Sequence, residues 1–282
     1  MGYEKTGDII RDAHKNKYGV AAFNAFNYET MKFAVEAAEA SGKPVILQHY
    51  PGWYDYISFE TTAAIVKSLA KKTKVPVGLH LDHCGDLGTI RHALESGFLS
   101  VMYDGSKLPF EQNIENTKAV VEMARVYGAD LEAELGNIGS AANVAEYTDA
   151  SLFTDPDDAE RFFEETGILS LAVAVGNAHG SYARLPSLDF WRIETIGKKL
   201  NTPLVLHGGS GIPEEQLQRA IQCGISKINV ATDYFRLVYG AIKDYAARDG
   251  GDIFSCMRAM QKEAEKFLTE KINLFYEREN SL

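Results

Sequence analysis

The chain has 282 residues, 45% of them apolar and 24% charged, with a formal net charge of −10. That length exceeds most single domains but is ordinary for an α/β barrel, and the apolar share suffices for a large core. The acidic balance argues against nucleic acid and anionic membrane surfaces as partners, and an anionic substrate would need a locally positive field.

The amino-terminal stretch MGYEKTGDIIRDAHKNKYG is charged and lacks the apolar centre of a signal peptide. No apolar run approaches the roughly 20 residues needed to span a bilayer. Cys84, Cys223 and Cys256 are scattered without CxxC spacing, which speaks against a disulfide framework. These features together predict a cytoplasmic protein.

In chain order, strand-like runs fall at 20–26, 44–49, 75–82, 98–104, 130–136, 168–175, 203–208 and 225–232. Several are continuously apolar, as strands covered on both faces are. Helical spacing lies between most of them. Met31, Val35 and Ala38 mark one helix over 29–41, and Ile114, Ala119, Val121, Met123 and Ala124 mark another over 111–127. Gly42, Gly97, Gly128 and Gly224 stand where helices should stop. Eight βα units with no linker or composition break predict one domain over residues 1–282, a (β/α)8 TIM barrel with extra C-terminal helices. The tail, 252–279, reads as helix packed outside the barrel or on a neighbouring subunit.

Residues 137–156 (NIGSAANVAEYTDASLFTDP) show no clear period. A connection this long in a compact domain reads as a lid, here placed after the fifth strand and above its carboxyl end.

His83, His179 and His207 each end a strand-like run: VPVGLHLDHC, LAVAVGNAHG and TPLVLHGGSG. Carboxyl ends of neighbouring parallel strands converge, so three imidazoles could meet there and hold a zinc ion with a fourth position open. His14, His49, His80 and His92 lack that setting and read as structural. Asp82, beside His83, could ligate metal, orient a histidine or carry a proton. HGGSG and NVAT end the seventh and eighth strands, where barrels commonly hold phosphate on backbone N–H groups and a helix amino terminus. Ser210 and Thr232 add hydroxyls, and Gly180 fits the same wall.

In their order and spacing, LHLDH, MYDGS, EAELG, GNAHGSY, LHGGSGIP and KINVATD resemble the zinc-dependent class II ketose-bisphosphate aldolases, over residues 23–232. The resemblance implies that His83, His179 and His207 bind one Zn²⁺ per subunit and that Asp82 is the catalytic proton donor. It implies further that Gly180, Gly208, Gly209, Ser210, Asn229, Val230, Ala231 and Thr232 hold dihydroxyacetone phosphate. Asp104 and Glu134 match residues that take a second or displaced metal in some members, and a monovalent cation is a further candidate cofactor. The implied reaction is reversible cleavage of fructose or tagatose 1,6-bisphosphate to dihydroxyacetone phosphate and glyceraldehyde 3-phosphate, by a homodimer or homotetramer.

Two positions depart from the family's pattern. Cys84 stands where relatives carry histidine or glycine. In GSAANVAE, Ala142 falls near an acidic lid position thought to move the carbon-bound proton, and Glu146 is the nearest substitute. Competing readings are an aldolase acting on another phosphorylated sugar or sugar acid, a Schiff-base aldolase using Lys227, and a non-catalytic phosphosugar sensor.

Overall fold

The structure, a computed structural model, describes residues 2–247 and 250–277. Its centre is a closed barrel of eight strands: β1 (Val20–Asn24), β2 (Val45–His49), β3 (Val77–Cys84), β4 (Ser100–Tyr103), β5 (Asp130–Leu135), β6 (Ser170–Val173), β7 (Leu204–Leu206) and β8 (Ile225–Val230). Every neighbouring pair is parallel, and β8 returns to β1. The expected (β/α)8 TIM barrel is therefore the fold.

Most strands stop short of the expected carboxyl ends because the backbone leaves the ladder to form the loops of the mouth. Thr232, expected to end a strand, instead opens a helix. β3 does the reverse and runs on to Cys84 through a register shift against β4.

Helices α2 (Tyr28–Ser41), α3 (Phe59–Ala70), α4 (Leu87–Glu95) and α5 (Phe110–Val126) follow β1 to β4 in turn. α6 (Val144–Thr148) and α7 (Pro156–Thr166) follow β5, and α8 (Phe190–Leu200), α9 (Glu214–Cys223) and α10 (Thr232–Ala246) follow β6 to β8. α2 begins at a capping box between Asn27 and Thr30 and ends at Gly42, whose φ of 64° lets the backbone turn left-handed. The C-terminal α11 (Ile253–Tyr276) lies along α2 and α10. It buries Met260, Ala264, Leu268, Ile272 and Phe275, a stripe at three- and four-residue spacing. Each large side chain so buried contributes roughly 1.5–3 kcal/mol. Residues 278 and 279 of the expected tail helix lie outside the described residues. Among the described residues, no helix is long and apolar enough to cross a membrane.

Alternation along the strands sorts the two faces. Ala21, Phe23, Val45, Leu47, Leu79 and Leu81 face outward into the core beneath the helices. Val20, Ala22 and Ile46 face the axis and pack on Ile9, Ile10 and Ala13 of α1 (Thr6–Asn16), which closes the amino-terminal mouth. Gly78 makes this approach possible, since a Cβ there would stand 2.6 Å from the Thr6 hydroxyl. Towards the other mouth the axial positions become polar: Asn24, Gln48, His80, Asp82, Glu132, Glu134, His207, Lys227 and Asn229 are all buried. The barrel thus carries an apolar plug at one end and a polar floor at the other.

Candidate active site

The polar floor is built largely from paired groups, although Gln48 Oε1, His80 Nε2, Glu134 Oε2 and Asn229 Oδ1 are buried without a hydrogen-bond partner. Lys227 Nζ, fully buried, donates to Glu132 Oε2 at 2.8 Å, and the other Glu132 oxygen lies 3.0 Å from His207 Nε2. His80 Nδ1 meets Ser100 Oγ at 2.7 Å. Above them, Gln48 Nε2 donates to Asn24 Oδ1, Asn24 Nδ2 donates to Asp82 Oδ2 at 2.8 Å, and Asn229 Nδ2 donates to Asp82 Oδ1 at 3.3 Å. Isolated charges at this depth would be strongly destabilising, so each needs its partner.

At the carboxyl ends of the strands the three histidines come together. His83 Nε2 lies 3.0 Å from His179 Nε2 and 2.8 Å from His207 Nδ1, and the latter two nitrogens are 3.4 Å apart. The second nitrogen of each ring has an oxygen acceptor. His83 Nδ1 is 3.0 Å from Asp104 Oδ2, His207 Nε2 faces Glu132, and His179 bonds the Ile138 carbonyl. Those acceptors take the protons of the outer nitrogens and turn the inner three towards one point. Three nitrogens this close need a positive charge between them, a proton on His83 or a metal ion. They fit a cation: nitrogen ligands on tetrahedral zinc stand about 3.3 Å apart.

Electrostatics agree with a trio that wants positive charge. Burial pushes His207 down, and His179 down to about 4, with His83 adding to the effect. Burial acts on His83 likewise, but Asp82, Asp104 and Glu134 outweigh it and raise that ring to about 9. Burial would also raise Asp82, yet His83, His207, Lys227 and the Asn24 amide hold it below the ordinary carboxylate range. Glu134 goes the other way: burial, with Asp104, raises it to about 8, and its Oε2 has no hydrogen-bond partner. His83, Asp104 and Glu134 form a second group whose ligand atoms lie within 4.8 Å of one another, the pair of carboxylates expected for a second metal.

Asp82, His83, Asp104, Glu134 and His179 line a cavity of about 480 Å³ at the mouth, and His207 lies buried directly beneath it. Gly180, Gly208, Ser210, Asn229, Ala231 and Thr232 form one wall, with Ala231 and Thr232 opening α10. Asn229 Oδ1 is buried there without a partner. Gly208 has a φ of 63°, and a Cβ on it would stand 1.9 Å from the Ala178 carbonyl, so only glycine lets the loops after β6 and β7 meet. The Tyr182 hydroxyl ties the same loops, accepting from Ala178 N and donating to Gly208 O. Gly209 and Val230 do not line the cavity. The Gly209 N–H is committed to the Asn229 carbonyl, and Val230 packs in the apolar core.

The segment 137–156 is more ordered than its lack of period predicts. It holds α6 and a 3-10 turn, Ala150–Leu152, and it is stitched to the His179 loop by Ala141 N to His179 O and His179 N to Gly139 O, both 2.9 Å. Asn137 and Ile138 reach the cavity. Glu146 does not line it. Its carboxylate accepts from Ser140 N and from Asn143 Nδ2, which keeps it below its ordinary pKa and makes it a staple of the loop. Cys84 is buried, with its thiol raised to about 11 by burial. Lys227, the candidate for Schiff-base chemistry, is sealed under the site by Glu132.

Residues that the sequence reading missed are Asn24, Gln48, Glu132, Tyr50, Trp53 and Lys107. The first three carried a readable signal: polar residues at axial positions of otherwise apolar strands. Tyr50, Trp53 and Lys107 line the cavity from loops after β2 and β4, whose paths no local pattern reveals.

Comparison with known proteins converges on one group. Residues 4–280 match the family of class-II fructose-bisphosphate aldolases. Among solved structures, the YdjI aldolase from Escherichia coli K12 is 35% identical, with 97% of each chain covered and a TM-score of 0.87. Fructose-bisphosphate aldolase from Campylobacter jejuni shares the fold at 23% identity and a TM-score of 0.84, covering 97% of this chain and 95% of that one. A barrel whose strand ends gather three imidazoles beside a buried aspartate, matched over nearly its whole length, belongs to the class-II fructose-bisphosphate aldolase family and is a carbon–carbon lyase that cleaves a phosphosugar.

Proposed function

We propose that the protein, as one catalytic barrel over its 282 residues, is a zinc-dependent aldolase that reversibly cleaves a ketose 1,6-bisphosphate, fructose or tagatose, to dihydroxyacetone phosphate and glyceraldehyde 3-phosphate. The observation that carries this reading is the meeting of three imidazole nitrogens within 3.4 Å, next to Asp82, at an open cavity that His83 and His179 line. His83, His179 and His207 would hold the zinc, which when bound supplies a Lewis acid for the ketose carbonyl.

The remaining roles follow from the chain's own groups. Asp82 is ionised and held by two asparagine amides, so it takes the proton of the C4 hydroxyl on cleavage and returns it on condensation. Gly180, Gly208, Ser210, Ala231 and Thr232 bind the phosphate of the triose with backbone and hydroxyl donors at the start of α10. Gly209 and Val230 support that wall from behind. The unpartnered Asn229 Oδ1 accepts from a substrate hydroxyl. Phosphate held away from the breaking bond orients the reacting carbons. The three free cysteines suit a cytoplasmic setting, and Tyr239, Ile253 and Phe254, exposed on α10 and α11, suit a homodimer or homotetramer.

The test is condensation of dihydroxyacetone phosphate with glyceraldehyde 3-phosphate by protein loaded with zinc. A ketose bisphosphate should form, stop forming in a strong chelator and return with zinc. The configuration of the product decides between fructose and tagatose. Turnover that survives chelation would overturn the zinc reading.

A further inference from the structure

Resting on that reading, we infer that Lys107 is the anchor for an anionic group at the far end of the aldehyde half, and so decides which aldehydes the enzyme condenses.

The cavity has an uneven charge. Asp82, Asp104 and Glu134 line its floor, and Lys107 is the one lysine or arginine among its described lining residues. The triose-phosphate wall needs no cation, because backbone and hydroxyl donors serve there. Lys107 stands in the loop after β4, and in a closed barrel of eight strands β4 lies opposite β8, which carries that wall. A ketose held by its phosphate at β7 and β8, with its carbonyl over the histidines, extends its other end towards Lys107.

The base of Lys107 is fixed while its side chain is free. Ser106 donates from both N and Oγ to Asp104 Oδ1, at 3.2 and 2.7 Å, and Leu108 N donates to Gly105 O. Asp104 also holds His83, so the loop is registered directly to the histidine trio. Lys107 is exposed, and among the described residues its ammonium makes no hydrogen bond or ion pair. Glu146, whose carboxylate feels the Lys107 charge, is already engaged by Ser140 and Asn143. Lys107 also lines the adjoining hollow under the lid, with Asn137 and Ile138, so it sits where the cavity widens away from the reacting carbons. An ammonium with no protein partner, set opposite the first phosphate in an acidic molecule, is suited to a second anion, phosphate or carboxylate.

The experiment compares the zinc-loaded protein with Lys107→Gln, condensing dihydroxyacetone phosphate with glyceraldehyde 3-phosphate, succinic semialdehyde or uncharged glyceraldehyde. The unsubstituted protein should prefer one charged aldehyde, and whether that is the phosphate or the carboxylate identifies the anion. Lys107→Gln should lower kcat/KM for that aldehyde at least about tenfold relative to glyceraldehyde, mainly through KM. Raising the salt should weaken use of the charged aldehyde by the unsubstituted protein and change the variant much less. Equal losses on charged and uncharged aldehydes, or no preference for either anion in the unsubstituted protein, would overturn the assignment. Failure to exchange the carbon-bound proton of dihydroxyacetone phosphate is a separate result, which removes the aldolase reading and this inference with it.

Discussion

Asp82 and His83 are neighbours in the chain, yet both line the same cavity. In a regular strand they would point to opposite faces. His83 instead has a φ of 44°, and the pairing of β3 with β4 shifts between Leu81 and Cys84. This bulge turns His83 back over the mouth, where Asp104 holds its outer nitrogen, while Asp82 keeps its axial direction. A proton-transfer carboxylate and a proposed metal ligand are thereby placed side by side through one unusual residue.

A left-handed conformation costs a residue with a Cβ roughly 1–2 kcal/mol, against which glycine's greater freedom in the unfolded chain must be set. His83→Gly should therefore be more stable than His83→Ala by roughly 0.5–1 kcal/mol in urea denaturation. Both variants should lose bound metal. Equal stabilities would mean that the backbone at His83 holds no strain.

Asp82→Asn separates binding from proton transfer. Its amide keeps the shape of the carboxylate, and Asn229 can turn its unpartnered Oδ1 to accept the new N–H. The variant should fold and retain metal, measured by elemental analysis, while kcat falls about 10²–10⁴-fold. Turnover within a few-fold of the unsubstituted protein would remove Asp82 from the proton-transfer role.

Glu132 serves two partners, His207 and the buried Lys227. Glu132→Gln leaves the ammonium without a counter-charge and should cost about 3–5 kcal/mol of stability. Adding Lys227→Met should return much of it, as judged by chemical denaturation. Metal affinity should stay about 10–100-fold weakened in both variants, because His207 has lost its carboxylate. A Glu132→Gln protein as stable as the original would contradict the buried pair.

The barrel was legible because parallel strands covered on both faces are apolar runs, and helices with glycine stops separate them. The histidine trio was legible because each ring ends such a run. The bulge at His83 was not: nothing in LHLDHC marks which residue leaves the strand geometry, and a strand ending at Asp82 looked complete. Gly209 and Val230 were read as substrate-binding because the motifs that contain them were taken whole, and a motif does not mark which of its residues face the cavity. The order within 137–156 escaped because it comes from long-range backbone bonds to the His179 loop. Lys107 escaped for the same reason: a lysine in a loop gains its meaning from the wall it faces.

With His80, His179 and His207, His49 is one of the buried rings that shape the acid side of stability. Its ring is fully buried between Phe59, Phe98 and Trp53, with Nδ1 on the Thr62 hydroxyl and Nε2 without a partner. Burial lowers it from 6.5 to about 4. Between those values the unfolded chain takes up a proton that the folded chain does not, so stability rises with pH and is lost as pH falls below about 6.5. From that one ring the loss by pH 4 is about 3 kcal/mol. His49→Gln should flatten this limb of a stability curve measured by urea denaturation from pH 7 down to pH 4, whatever its effect at pH 7. An unchanged slope in the variant would show that the buried imidazole takes up its proton as readily as a free one.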